Sequence, residues 1–231
     1  MSMKGLQPSG IARRNKMIHA GIMLFLEKGY ENTSTSEIAK AAGMSQASFF
    51  AAFQNKEALL CTLVQEMFES QFRRTEEMMS GCANPLLIYA VETSMQMYIA
   101  EMSESLRELY VAAYTLPTTS EFIYHATAKK LAFIFREYMP DAHEKDFYEL
   151  DIASGGITRG FMAKKCDIYF TIEQKIRRYL TCCMKIYNVP QEKIDEATEK
   201  ALSMNLSEAA KQAVESAIEK GRLGFEQAMA E

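Results

Sequence analysis

The residues able to do covalent or metal chemistry in this chain are few and scattered. There are three histidines, His19, His125 and His143, and five cysteines, Cys61, Cys82, Cys166, Cys182 and Cys183. A structural zinc site needs ligands paired a few residues apart. None of these spacings supplies that, and no Cys-x-x-Cys occurs. Cys182 and Cys183 are adjacent and cannot pair with each other without strain. A nucleophile elbow would need Gly-x-Ser-x-Gly, and phosphate binding a glycine-rich loop; neither run is present. The residues point away from an enzyme, a metal or a cofactor, and toward reduced thiols in a cytoplasmic protein.

Two other groupings stand out. The middle of the chain is rich in soft and aromatic side chains, among them Phe68, Phe72, Met95, Tyr98, Met102, Tyr110, Tyr114 and Phe122. Met accommodates varied shapes, and a buried Tyr hydroxyl can orient a polar tip, although any one of these residues is ordinary core material. The second grouping is charge. The chain as a whole carries −4, yet up to Lys56 seven cations face only three anions (Glu27, Glu31 and Glu37). A basic module on an acidic body is the electrostatic footprint of local nucleic-acid contact.

The elements that must position these groups are helical throughout. Ile11, Ile18, Ile22 and Phe25 recur at helical spacing, and Gly29 ends that helix. Ser34 and Glu37 are spaced as a capping box, and the short helix they open stops at Gly43. Ser45 caps a second short helix, Gln46 to Phe53, and Asn55 caps a long one from Lys56 to about Met79. Two short helices joined by a tight turn form a helix-turn-helix, whose second member can lie in a DNA major groove. Beyond it, Asn84-Pro85, Thr119 or Ser120, and Thr171 with Gln174 open further helices, and Pro190 starts a terminal helix of roughly thirty residues. No strand, no repeat and no membrane span is predicted. The expected fold is all-α: a three-helix helix-turn-helix DNA-binding domain over residues 1–55, then a larger helical domain over 56–231 that begins with the linker helix 56–79, the domain to which the resemblance described next assigns ligand binding and dimerisation.

The run Gly29 to Leu60, GYENTSTSEIAKAAGMSQASFFAAFQNKEALL, resembles the DNA-binding domain of the TetR family of transcriptional regulators. Gly29, Tyr30, Thr33, Ile38, Ala39, Ala42, Gly43, Ser45, Phe49, Phe53 and Lys56 carry the likeness, and Thr171 to Ile194 resembles the family less specifically. The resemblance implies a homodimeric repressor that binds a palindromic operator in double-stranded DNA and is released by a small apolar or aromatic effector. It implies DNA contacts from Thr35, Ser36, Gln46, Ala47, Ser48, Phe50 and Lys56, and an effector site built from Phe72, Met95, Tyr98, Met102, Tyr110, Tyr114 and Phe122. It places the dimer interface on the last long helices. Gly156 and Gly160 lie four apart on one helix face and admit a close neighbour, so that interface is expected to take in Gly156, Ile157, Gly160, Phe161, Ile176, Leu180 and Cys183. Two departures matter: the family often has Gly where Ala47 stands, and a second change removes donors. The family usually has Tyr at position 50, and Tyr or His at 51 or 52, to donate hydrogen bonds to phosphate. Phe50, Ala51 and Ala52 cannot donate. Losing about two such bonds weakens DNA binding by about 1–2 kcal/mol. The alternative reading is therefore a ligand- or partner-binding relative with weakened DNA affinity.

Overall fold

The computed structural model describes residues 8–78 and 84–230, with only the backbone course at 8–9, 70–78, 220, 224–225 and 227–230. The described residues form eleven helices and no strand. They are α1 Pro8–Lys28, α2 Thr35–Ala41, α3 Gln46–Ala52, α4 Lys56–Met78, α5 Pro85–Met102, α6 Glu104–Ala113, α7 Pro117–Phe135, α8 Glu144–Ala163, α9 Ile172–Ile186, α10 Gln191–Ser203 and α11 Leu206–Ala230.

Local chemistry sets the boundaries. Gly29 and Gly43 adopt φ of +88° and +70°, a region that side chains with a Cβ rarely enter, and so end α1 and the α2 turn. The capping box of α2 is reciprocal: the Glu37 N–H donates to Ser34 Oγ at 3.2 Å, and the Ser34 N–H donates to Glu37 Oε2 at 2.8 Å. Ser45 Oγ accepts from the Ser48 N–H at 3.2 Å and Asn55 Oδ1 from the Ala58 N–H at 2.8 Å, opening α3 and α4. Two expectations need correction. α7 begins at Pro117, two or three residues before Thr119 or Ser120, because proline's fixed φ suits the first helical position. The Thr119 hydroxyl then donates back to the Leu116 carbonyl at 3.0 Å. The terminal helix is two helices, broken where Met204 turns extended (φ −86°, ψ 149°). The break lets Ala201 and Leu206, on either side of it, both reach the core.

Two apolar cores result. The first gathers α1 to α4 around Phe25, Phe49 and Leu59, and draws in Leu109, Ala112 and Ile123 from α6 and α7. The second fills the space between α5 and the helices from α7 to α11, with Phe135 and Tyr187 stacked at 4.1 Å. α11 lies against both α5 and α1. A buried ion pair also ties the second core: Lys175, fully buried on α9, donates to Glu101 of α5 and to the Lys164 carbonyl.

Candidate nucleic-acid interface and internal cavity

α3 is two-faced. Phe49 is buried against the first core, with Phe53 just past the helix end, while Gln46, Ala47, Phe50 and Ala51 are exposed. Phe50 keeps half of its surface in water, which places a bare phenyl ring at the centre of the outward face. Ser48 is half-buried, its hydroxyl 2.9 Å from that of Ser45. At the start of α2, Ser36 is exposed and Thr35 half-buried. Among the residues expected to meet DNA, these six sit at the surface of one two-helix unit.

Lys56 is placed differently. Its ammonium donates to the Tyr30 carbonyl at 2.7 Å and the Thr33 carbonyl at 3.0 Å, and lies 4.1 Å from the centre of the Tyr30 ring. Two of its three donors therefore hold the α1–α2 turn, so Lys56 is at least in part an internal clamp. Arg14 is a second clamp. It donates to the Ala52 carbonyl at the end of α3 and to Thr62 Oγ1 of α4, each at 2.9 Å, and stacks over Phe53 at 4.1 Å. Backbone carbonyls left open at a helix end attract cations, which explains why an arginine is held there.

The interior of the larger core holds a cavity of about 50 Å³ between α5, α7 and α8. Its walls mix rings (Tyr89, Tyr114, Tyr179) with charges (Glu92, Lys130, Asp151). Glu92 and Lys130 pair at 2.5 Å. Asp151 is buried on α8, where Ser154 Oγ donates to it at 2.6 Å and Thr127 Oγ1 donates from α7. Tyr187 extends the chain, its hydroxyl 3.0 Å from Ser154 Oγ. Burial raises the Asp151 carboxyl above the usual range, against the opposing pull of the Ser154, Thr127 and Tyr187 hydroxyls.

This departs from the effector site expected from the aromatic set. Of those residues whose side chains are described, only Tyr114 lines the cavity. Met95 and Tyr110 are core packing, Met102 is exposed, Tyr98 is half-buried, and Phe122 packs edge-on against Phe68 at 6.3 Å. The side chain of Phe72 lies outside the described residues. Sequence reasoning missed Asp151, Ser154, Glu92 and Thr127. The available signal was a carboxylate on the otherwise apolar face of α8 that Phe147, Leu150, Ser154 and Ile157 mark out.

The expected dimer face also divides. Gly156 and Gly160 are exposed with open space where a Cβ would stand, and Ile152 beside them is half-exposed. Ile157 and Phe161 are half-buried, Phe161 lying edge-on to Tyr179 at 5.9 Å. Ile176, Leu180 and Cys183, by contrast, are wholly buried within the chain's own core and are corrected to that role. Burial pushes the Cys183 thiol up to about 12, as befits an inert core thiol.

Hydrogen bonds to carboxylates join the α1–α4 unit to α6 and α7. Glu108 of α6 accepts from the Glu31 N–H at 2.5 Å, just after α1, and Glu57 of α4 accepts from the Thr118 N–H at 2.6 Å at the start of α7. Among the described residues, no three His, Cys, Asp or Glu side chains gather as a metal site, and no helix is long and apolar enough to cross a membrane.

Residues 17–61 match the model for the bacterial regulatory proteins of the tetR family. An uncharacterised HTH-type transcriptional regulator of Bacillus subtilis, YdgC, is 33% identical over 72 residues, which make up 31% of this chain and 36% of that one. The chain thus spans about a third of the length of that curated relative. The HTH-type transcriptional repressor KstR2 of Mycobacterium tuberculosis is 24% identical over 162 residues, covering 68% of this chain and 72% of the other. The crystal structure of RolR in complex with resorcinol superposes with a TM-score of 0.64 at 14% identity, over 82% of this chain and 94% of that one, and so shares the fold. The helix-turn-helix segment, residues 17–61, is therefore similar to the regulators of the tetR family.

Proposed function

We propose that this chain is a transcriptional repressor that binds a palindromic operator as a homodimer and releases it when a small molecule occupies the interior of the larger core. The observation that carries the reading is α3: a short helix anchored by Phe49, Phe53 and Arg14, with Gln46, Ala47 and Phe50 facing outward. Gln46 is suited to bidentate bonds with adenine, and Phe50 and Ala47 to thymine methyls. Two such helices in a symmetric dimer must stand about 34–36 Å apart to meet successive major-groove turns. The open stripe of Ile152, Gly156 and Gly160 on α8 supplies a candidate contact between the two copies. Effector release follows from the joints at Glu108 and Glu57. A ligand that shifts α6 or α7 moves the α1–α4 unit with them, and DNA affinity falls by the ligand's differential affinity for the two arrangements.

The test is fluorescence anisotropy of the purified chain on the duplex upstream of its own gene, against random duplex. The reading expects the specific duplex to bind at least about a thousandfold tighter. A second reading is favoured by one observation. The outward face of α3 offers a phenyl and two alanines where phosphate donors are expected, and two nearby cations are engaged internally. On that reading the fold binds ligand or partner with DNA contact weakened, and both duplexes bind equally and weakly. Phe50→Tyr then separates a weakened reader from a lost one by restoring affinity only in the former.

A further inference from the structure

We propose that the cavity between α5, α7 and α8 receives the head group of a small organic cation, a protonated amine on an aromatic or apolar body, with Asp151 as its counter-ion. This rests on the ligand-responsive reading above and replaces the apolar effector expected from the sequence. The charges lining the cavity are not equivalent. Glu92 and Lys130 pair with each other. Asp151, only 8% exposed, is held by hydroxyls alone and forms no ion pair among the described residues. Hydroxyls solvate a carboxylate but do not neutralise it, and a buried charge without a counter-charge is unfavourable. A ligand cation supplies what the fold leaves out. The walls suit the rest of such a molecule: Tyr89, Tyr114 and Tyr179 offer aromatic faces that attract cations, and Ile123, Leu131 and Ile134 offer apolar surface. An anion would meet Asp151 with like charge.

The volume adds a consequence. A cavity of about 50 Å³ holds a few waters or an ammonium group, not a drug-sized body. Occupancy therefore requires α7 to part from α5 or α8. α7 and α8 are in tight contact: a Cβ at Gly155 would stand 2.7 Å from the Tyr124 ring. Because the first turn of α7 is tied through the Thr118 N–H to Glu57 of α4, parting these helices reaches the α1–α4 unit.

Titration calorimetry on the full chain without DNA tests this with three probes of similar size: phenethylamine, phenethyl alcohol and phenylacetate. The amine is expected to bind at least about tenfold tighter than the alcohol, by analogy with close charge pairs at interfaces, and the carboxylate weakest of all. Asp151→Asn is expected to erase the amine's advantage while leaving the alcohol within about twofold, since the amide keeps the shape and loses the charge. If that variant does not fold, the ranking on the parent chain decides alone. Phenylacetate binding as tightly as the amine, no detectable amine binding, or an Asn variant that keeps the amine's advantage each overturns the proposal. Because DNA is absent, a failure here leaves the repressor reading standing, and a failure to bind operator leaves this result intact.

Discussion

Replacing Arg14 by Met removes the guanidinium and keeps the aliphatic stem, so the loss is confined to what the charged fork does. That fork makes two bonds at 2.9 Å, to the Ala52 carbonyl and Thr62 Oγ1, and stacks on Phe53. Hydrogen bonds from a charged donor contribute about 1.5–3 kcal/mol when well buried and less when half-exposed. Stacking at a partly exposed site adds about 0.5–1 kcal/mol. Discounting for exposure, the variant should lose about 2–3 kcal/mol, read as a lower urea midpoint of the DNA-free chain at unchanged slope. The end of α3 should fray and DNA affinity should fall. The salt dependence of binding separates this account from a phosphate contact. A lysine or arginine on phosphate contributes about 0.9 to the slope of log affinity against log salt, whereas an internal clamp contributes nothing. Arg14→Lys keeps the charge but not the fork, and should rescue neither stability nor affinity. An Arg14→Met chain with unaltered stability and a slope reduced by about one would refute the clamp.

Three further outcomes follow from the same structure. Asp151 has its carboxyl raised by burial, so its favourable contribution to stability is complete below the unfolded value of about 4 and is lost as pH rises through the folded one. Asp151→Asn should therefore unfold at an equal or higher temperature than the parent near neutral pH, and the difference should vanish in acid; a less stable variant at neutral pH would show that the hydroxyls fully compensate the charge. Glu37 behaves oppositely. Lys28 and then Ser34 hold its carboxyl down to about 2, so the α2 cap is intact above the ordinary carboxylate range and fails as pH falls toward 2. An NMR titration midpoint near the ordinary value of about 4.3 would contradict the capping geometry. Finally, Glu108→Ala removes the acceptor of the Glu31 N–H, and exchange of that amide should accelerate by at least about tenfold. Unchanged protection would mean that α6 does not restrain the end of α1.

Much of the fold was legible because its signals are local. Ser34 with Glu37, Ser45, Asn84 with Pro85, and Thr171 with Gln174 mark helix starts within four residues of themselves, and each cap forms as read. The break after Ser203 was not legible, since alanine and glutamate favour helix on both sides and only packing decides the bend. The surface of α3 could be read because Phe49 and Phe53 fix which side turns inward. Lys56 and Arg14 could not, because their partners are main-chain carbonyls 23 to 38 residues away. Helical periodicity also cannot tell an interface from a core: Ile176, Leu180 and Cys183 form the same stripe in either case, and only the packing of α5, α8 and α10 around α9 assigns them inward. The cavity was hidden for a related reason. Its polar groups are divided among α5, α7 and α8, far apart in sequence, so no single stretch shows that Glu92, Thr127 and Asp151 line one space.

The central claim, that α3 reads DNA as part of a symmetric dimer, is tested most directly by selecting binders from a random duplex library with the full chain. The account predicts enrichment of an inverted repeat whose half-sites are centred about 10 bp apart or a multiple of that, with the preference at one base pair per half-site relaxed by Gln46→Ala. Recovery of no sequence, or of one that Gln46→Ala leaves unchanged at every position, would contradict it.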